Sequence, residues 1–396
     1  MSRHSQFSEY MARHGNRRTF LKVFGTATGT AVLGGLTGCE QVAPPAPPAT
    51  RPSHLVKFGH SDLYVSKLCQ GTAFRRHLSR EGGDAEAHKL IRYCIDIGIN
   101  FFDSAEAYGS GGSEIALGKG VAGKRDQVII TTKAASTIGP DLQNVPGKRI
   151  TFTKEIIFQK AEDSLKRLGT DYIDLYLLHG PDQATPMNDR PEGASNPDPG
   201  TPTLEHMQSI ADAMDALVKS GKVRYWGVSN HSAQQVSELV DLGKRPGKSP
   251  IAGLEDYFNI AAGPRPNLKR FLRKIEKDEM FPVIQKGNLG LMAFSPLGEG
   301  RLVPGRKVEE GPALVGLIKE LDFVANELGV SRPQVCVAWS SNHPEVTSVL
   351  AGGEKPEHVA DNFKGAELVL PKEAMQRLNA AADEYDVKRL KEIKST

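Results

Sequence analysis

Cysteine is scarce in this 396-residue chain, which holds four. None sits in a CxxC pair, and none is spaced with histidine in the way zinc ligands are. A disulfide framework is therefore not expected, and Cys69, Cys94 and Cys336 read as buried free thiols in one strand and two helices. Charge of one sign is also missing. The 50 Lys+Arg against 47 Asp+Glu leave a formal charge of +3, too little to argue for nucleic acid or an anionic surface. Beyond the N-terminal segment no run approaches the roughly eighteen apolar residues of a membrane helix. No GxGxxG follows an early strand-like run, so the usual mark of a doubly wound dinucleotide fold is lacking. What remains is 39% hydrophobic and ordinary for a globular protein, with a length that permits one large α/β barrel.

The N-terminus differs from the rest. Arg17 and Arg18, then Thr19-Phe20-Leu21-Lys22 and a weakly apolar stretch from Val23 to Gly38, have the form of a bacterial export signal. The paired arginines point to the twin-arginine export machinery, although Asn16 replaces the usual Ser or Thr before them. Leu36-Thr37-Gly38-Cys39 resembles a lipobox, in which Cys39 becomes the lipid-modified first residue of an envelope or periplasmic protein anchored to membrane. Residues 1–39 thus read as a signal segment. The Pro-rich segment 40–54, including the run Gln41 to Pro52, reads as an extended tether, and residues 55–396 as a single folded domain.

In that domain LVKF and DLYVSKLCQG predict a short β-hairpin around the turn Gly59-His60-Ser61. Eight apolar runs follow, at about 67–71, 100–103, 127–133, 172–178, 223–229, 251–256, 290–294 and 346–350, separated by segments of helical period. One of these, ITFTKEIIFQKAEDSLKRLG, ends at Gly169 as a helix stop. Strand and helix alternating eight times is the expectation for a (β/α)8 TIM barrel; a doubly wound open sheet is the other arrangement. Long connections at 73–83, 139–149 and 180–202 are expected on the active face. The first carries Arg75, Arg76, His77 and Arg80, which would attract an anionic substrate.

Four polar residues stand at the ends of successive strand-like runs: Asp103 after INFF, Tyr108 just beyond it, Lys133 closing VIITTK and His179 closing DYIDLYLLH. The carboxyl ends of barrel strands share one face, so these side chains would meet. A tyrosine, with a reference pKa of about 10, is a poor acid at neutral pH unless a neighbouring ammonium stabilises its anion. Asp103 would orient Lys133, Lys133 would tune Tyr108, and His179 would hydrogen-bond a substrate oxygen. That is a site for delivering a proton to a carbonyl.

The segments FFDSAEAYGSGGSEIALGKG, IITTKA, YIDLYLLHGPD, GKVRYWGVSNHS, MAFSPLG and VTSVLAGGEKPEHVADN, in this order, resemble the aldo-keto reductase superfamily over about Leu55 to Asp386. The resemblance implies NAD(H) or NADP(H) lying across the strand ends, with Tyr108 protonating a small carbonyl substrate as hydride arrives. It implies that Ser229 and Asn230 hold the nicotinamide carboxamide and that Phe294 lies against the ring. It also places Ser295, Leu297 and Gly298 along the pyrophosphate, Asn362 at the adenine, and Asp361 at the nearby ribose or its helix. No metal is implied.

Two positions depart from the family pattern. Leu254 or Glu255 stands where a glutamine usually lies under the nicotinamide. Gly352 or Glu354, and His358, stand where phosphate-reading members carry Lys or Arg. A carboxylate repels a 2′-phosphate yet accepts hydrogen bonds from a 2′-hydroxyl, while Lys355 next door suits the phosphate, so the two cofactors stay nearly even. Phe74, Tyr108, Phe294 and His179 suggest an aromatic-walled pocket for an aldehyde, a ketone or a sugar. The rival expectation is a non-catalytic nucleotide-binding barrel acting as a redox sensor or partner subunit, which has no need of a tuned tyrosine.

Overall fold

A computed structural model of the chain describes residues 54–73, 84–138, 150–182, 203–263, 275, 277–306 and 311–395. The signal segment with Cys39, nearly all of the tether, Phe74 with the basic residues beside it, and most of the long connections at 73–83, 139–149 and 180–202 lie outside the described residues.

Strands β1 (Leu55–Lys57) and β2 (Tyr64–Ser66) pair antiparallel as the expected hairpin. Eight parallel strands follow: β3 (Leu68–Gly71), β4 (Phe101–Asp103), β5 (Ile129–Ala134), β6 (Ile173–Leu178), β7 (Val223–Ser229), β8 (Gly253–Tyr257), β9 (Gly290–Phe294) and β10 (Ser348–Ala351). They pair in sequence order and β10 closes on β3, which makes a (β/α)8 barrel. The open-sheet arrangement is thereby excluded, because the strand order never reverses.

Helices α1 (Asp84–Asp96), α2 (Gly112–Val121), α3 (Lys154–Leu168), α4 (Leu204–Lys219), α5 (Ala233–Gly243) and α6 (Lys277–Gly287) each link one strand to the next. Two helices, α7 (Pro312–Leu328) and α8 (Arg332–Ser341), separate β9 from β10, and α9 (Pro356–Glu367) and α10 (Lys372–Ser395) follow. Helix α3 shows how local sequence sets these elements. Thr153 caps its start by accepting from Ile156 N at 3.3 Å, and Ile157, Ala161, Ser164 and Leu168 recur on the buried face. It stops at Gly169, whose φ of 64° is left-handed.

Strand side chains alternate between two cores. Phe102, Ile130, Tyr176, Leu178, Val228 and Ala293 face the helices, whereas Cys69, Phe101, Leu175, Leu177 and Met292 fill the barrel. Cys69, Cys94 and Cys336 are buried free thiols, as expected. Phe58, from the hairpin, seals the N-terminal end of the barrel. A Cβ added at Gly253 or Gly290, the first residues of β8 and β9, would come within 2.5 Å of the Phe58 ring, so both positions must be glycine for the ring to seat. Burying such a ring stabilises the domain by about 3–5 kcal/mol relative to alanine. Among the described residues no cluster suits a metal ion, and no helix is long and apolar enough to cross a membrane.

Candidate active site

The same alternation that fills the barrel aims its upper side chains. Counting inward positions by two, Phe101 leads to Asp103, Ile129 through Thr131 to Lys133, and Leu175 through Leu177 to His179. Parallel register then sets Asp103 beside Thr131 and Lys133 beside Leu177. Tyr108 comes from a turn rather than a strand. Its N–H donates to Ala105 O at 3.0 Å, and the chain reverses through three successive left-handed residues, Gly109, Ser110 and Gly111, before α2 begins.

The four residues converge. Lys133 Nζ donates to Asp103 Oδ1 at 2.5 Å, to Ser104 O at 3.0 Å and to Tyr108 Oη at 3.3 Å. The Tyr108 and His179 rings meet edge to face with centroids 5.7 Å apart. Asp103 and Lys133 are fully enclosed, while Tyr108 and His179 are half-buried at the rim. The His179 Nδ1 atom is itself buried and has no hydrogen-bond partner.

Burial decides most of the titration behaviour. It pushes the Tyr108 phenol above its ordinary value; Lys133 pulls it back, and Asp103 and Glu255 push it further up. The expectation of an unusually acidic phenol is corrected: desolvation outweighs the ammonium, and Tyr108 stays protonated at neutral pH. Burial opposes the charge on Lys133, yet Asp103, Glu255 and Tyr108 more than offset it and hold the ammonium well above the ordinary lysine range. Burial, then Lys133, lowers His179 to about 3, so its imidazole is neutral.

Glu255 is the residue whose place in the site was missed. Of the two residues considered for the glutamine position, Leu254 faces the outer core, and Glu255 faces into the barrel. Glu255 Oε2 lies 3.2 Å from Lys133 Nζ, and both side chains are almost wholly enclosed. Burial and then the Asp103 charge push its carboxyl well above the ordinary range, against the pull of Lys133. Part of the signal was available: in Gly253-Leu254-Glu255-Asp256-Tyr257 the first, third and fifth positions face inward, although alternation alone does not set the level at which Glu255 meets Lys133.

The remaining residues expected at a cofactor form a rim around strand ends β7, β9 and β10. Ser229 Oγ donates to Glu255 O at 2.6 Å, and Asn230 Nδ2 donates to His179 O at 3.0 Å and to Ser229 Oγ at 2.8 Å. Asn230 and Ser295 both have a left-handed φ of 60°, a conformation that costs non-glycine residues about 1–3 kcal/mol and needs a firm surround. Part of that surround is Asp256, whose Oδ1 accepts Asn230 N at 2.6 Å. Phe294 is half-buried, edge-on to Tyr257 with centroids 5.6 Å apart. Ser295, Leu297 and Gly298 form a tight turn that Arg301 braces by donating to Gly298 O and Ala261 O. Neither Asp256 nor Arg301 was singled out by sequence.

Gly352 and His358 are exposed, Glu354 is half-buried, and Asn362 is buried midway along α9. Asp361 accepts from Ser331 Oγ at 2.8 Å and from Gln334 Nε2 at 2.7 Å. Of its two expected roles, ribose or helix, these contacts are those of a residue tying α9 to α8.

Comparison with known proteins agrees with this fold. A "probable voltage-gated potassium channel subunit beta" of Oryza sativa subsp. japonica is 28% identical over 350 residues, which cover 81% of this chain and 94% of that protein. The L-glyceraldehyde 3-phosphate reductase of Escherichia coli is 27% identical over 302 residues, covering 69% of this chain and 77% of its own. An aldo/keto reductase from Klebsiella pneumoniae, crystallised with NADP and acetate, superposes with a TM-score of 0.61 at 25% identity, covering 83% of this chain and 94% of that one. The family model described as "Aldo/keto reductase family" matches residues 67–383, from just before the first barrel strand into the last helix, and the chain belongs to that family.

Proposed function

We propose that this oxidoreductase interconverts a small aldehyde or ketone, sugars included, and its alcohol, with Tyr108 as the group that gives and takes the proton. One observation carries the reading: a fully enclosed ammonium, fixed by Asp103, donates to the Tyr108 hydroxyl at 3.3 Å beside a neutral imidazole. A phenol that remains protonated at neutral pH is poised as a donor. A neutral His179 ring carries one N–H, which can donate to the carbonyl oxygen and steer it toward Tyr108. As oxygen becomes negative in the transition state, the Lys133 charge behind Tyr108 lowers the cost of releasing the proton.

Hydride comes from a bound reduced nicotinamide nucleotide. The chemistry of the rim suits such a ligand. Phe294 offers an aromatic surface, and the first turn of α9 has no side-chain cap at Lys355, which leaves its N–H groups to a phosphate-bearing molecule. A Cβ at Gly352 would meet nothing within 4 Å, so the backbone there is open to close approach. Selection between NAD(H) and NADP(H) rests on Glu354 and on Lys355, whose ammonium stands 3.9 Å from Glu357 in an exposed pair.

Export through the twin-arginine machinery, with Cys39 as a lipid anchor in the periplasm or cell envelope, is part of this proposal and rests on Arg17, Arg18 and the Leu36–Cys39 sequence. That route carries folded proteins, so the barrel would travel with its cofactor bound and recycle it by oxidising one substrate and reducing another. Replacing Arg17 and Arg18 with lysine should hold the protein in the cytoplasm.

The decisive experiment is Tyr108→Phe, assayed on a panel of aldehydes, ketones and sugars with both dinucleotides. We expect turnover to fall by at least a thousandfold with cofactor affinity unchanged. A variant that keeps its turnover removes Tyr108 from the chemistry; wild-type protein that binds nucleotide and turns over no carbonyl favours the sensor or partner-subunit reading.

A further inference from the structure

Lys133 has more neighbours than it has protons to give. An ammonium donates three hydrogen bonds, and those of Lys133 go to Asp103 Oδ1, Ser104 O and Tyr108 Oη. Glu255 Oε2, 3.2 Å from the same nitrogen, is buried and receives no hydrogen bond. A carboxylate left in that state would be an unsatisfied buried charge, and it lies against a second carboxylate, Asp103. Two like charges cannot both persist beside one ammonium in a closed cavity. A proton on Glu255 resolves both faults at once. The carboxyl then donates to Asp103, and the cluster of Asp103, Lys133 and Glu255 is neutral.

Other groups facing Glu255 reinforce this. From β3, Cys69 is pushed well up by its own burial and by Asp103 and Glu255, so it remains a neutral thiol. In register beside Glu255 stand Ser229 on β7 and the apolar Met292 on β9. Among the described residues Lys133 is the cation that stands against Glu255, and the orientation of Asp103 on that ion needs no second carboxylate.

We propose that Glu255 is a proton store for this site, exchanging its proton with Tyr108 through Lys133. The inference rests on Tyr108 being the proton donor. In reduction, the Tyr108 O–H bond breaks as the new alcohol O–H bond forms, leaving a phenolate. A proton passes from Lys133 to the phenolate, the neutral amine turns its freed lone pair toward Glu255 Oε2, 3.2 Å away, and the Glu255 proton leaves its bond to Asp103 to replace the one given. The negative charge has moved from Tyr108 to Glu255, and water entering over the rim after the product leaves restores the carboxyl. Alcohol oxidation runs the same path backwards and first requires that Glu255 lose its proton to water, so its rate climbs with pH as that proton leaves. The transfer follows the ordinary order of acidity, in which a carboxyl is a stronger acid than a phenol, and burial raises both groups. Glu255 acts through Lys133 and is a positioning residue in the sense that it touches no substrate.

Infrared difference spectroscopy of the purified protein, titrated with pH, tests this together with rate profiles for alcohol oxidation. At pH 7 the wild type should show the carbonyl band of a buried carboxylic acid that Glu255→Gln lacks and that Asp103→Asn alters. In oxidation, the rising limb of kcat with pH should move upward in Glu255→Gln, lowering the rate at pH 7 by about tenfold, and return in Glu255→Asp. Absence of the acid band at pH 7, or an unchanged limb in Glu255→Gln, overturns the proposal. If Glu255→Gln does not fold, the band in the unaltered protein still decides. If Tyr108→Phe keeps its turnover while the band is present, the tyrosine reading fails and the exchange falls with it, leaving only the protonated state of Glu255; if Tyr108→Phe loses turnover and the band is absent, the tyrosine reading stands and the proton store alone is overturned.

Discussion

Replacing Asp103 with asparagine should cost less than the burial of its ion pair implies. Stripping one partner from an enclosed pair ordinarily destabilises by about 3–5 kcal/mol, because the other charge is left without compensation. Here a second carboxyl waits 3.2 Å from Lys133. Once Asp103 is neutral, Glu255 loses the like charge that held its proton and ionises to become the counter-ion. The cost of Asp103→Asn then falls to that of a charge-assisted hydrogen bond, about 1.5–3 kcal/mol. Glu255→Gln alone removes no charge from the cluster and should cost about nothing. The double variant strands Lys133 and should bring the full 3–5 kcal/mol, exceeding the sum of the singles by about 2 kcal/mol. A pH series adds a second readout. Glu255 keeps in the folded state a proton that the unfolded chain releases near its ordinary value of 4.5. Wild-type stability is therefore fully present below that value and falls by about 1.4 kcal/mol per pH unit from this group until the raised folded value is passed. That component of the slope should vanish in Asp103→Asn, where Glu255 is ionised, and in Glu255→Gln. Urea unfolding of the four proteins at pH 5 and pH 7 measures both quantities. Additive costs within about 0.5 kcal/mol, with equal pH slopes in wild type and Asp103→Asn, would refute the shared-proton cluster.

Two further outcomes follow from the fold and the site. Phe58→Ala should lower stability by about 3–5 kcal/mol, read from urea melts, and leave KM unchanged, since the ring lies at the far end of the barrel from Tyr108; an altered KM with intact stability would contradict that separation. His179, lowered to about 3, contributes stability that is present above the ordinary histidine value of 6.5 and lost as pH falls toward 3. Between pH 5 and 8 no limb of the activity profile should belong to it, and a limb near 6.5 that disappears in His179→Gln would overturn its neutral assignment.

The barrel was legible because each strand carries an apolar run with a helix-period segment behind it, and all eight runs became strands to within a few residues. The convergence of Asp103, Tyr108, Lys133 and His179 was legible too, since strand ends in such a fold share a face. What escaped was set by closure of the sheet. That Glu255 reaches Lys133 depends on β8 lying between Ser229 of β7 and Met292 of β9 in register, and no local pattern fixes that height. The direction of the Tyr108 shift escaped for a different reason: residue types show which charges are near, and only the enclosed volume shows that desolvation wins. Asp361 read as a ribose ligand or a helix residue from its place in a motif, and its contacts with Ser331 and Gln334 are those of the second.

Because Phe58 stops one end of the barrel, the interior is a cup with a single rim rather than a tube. Substrate, product and replacement protons must all cross the same threshold, where Tyr108 and His179 stand. Among the described residues, Phe58 and the side chains stacked above it stand between the N-terminal end and the carboxyls beneath that threshold. Any catalyst built this way must either carry its next proton inside before the door shuts or wait for the door to open again.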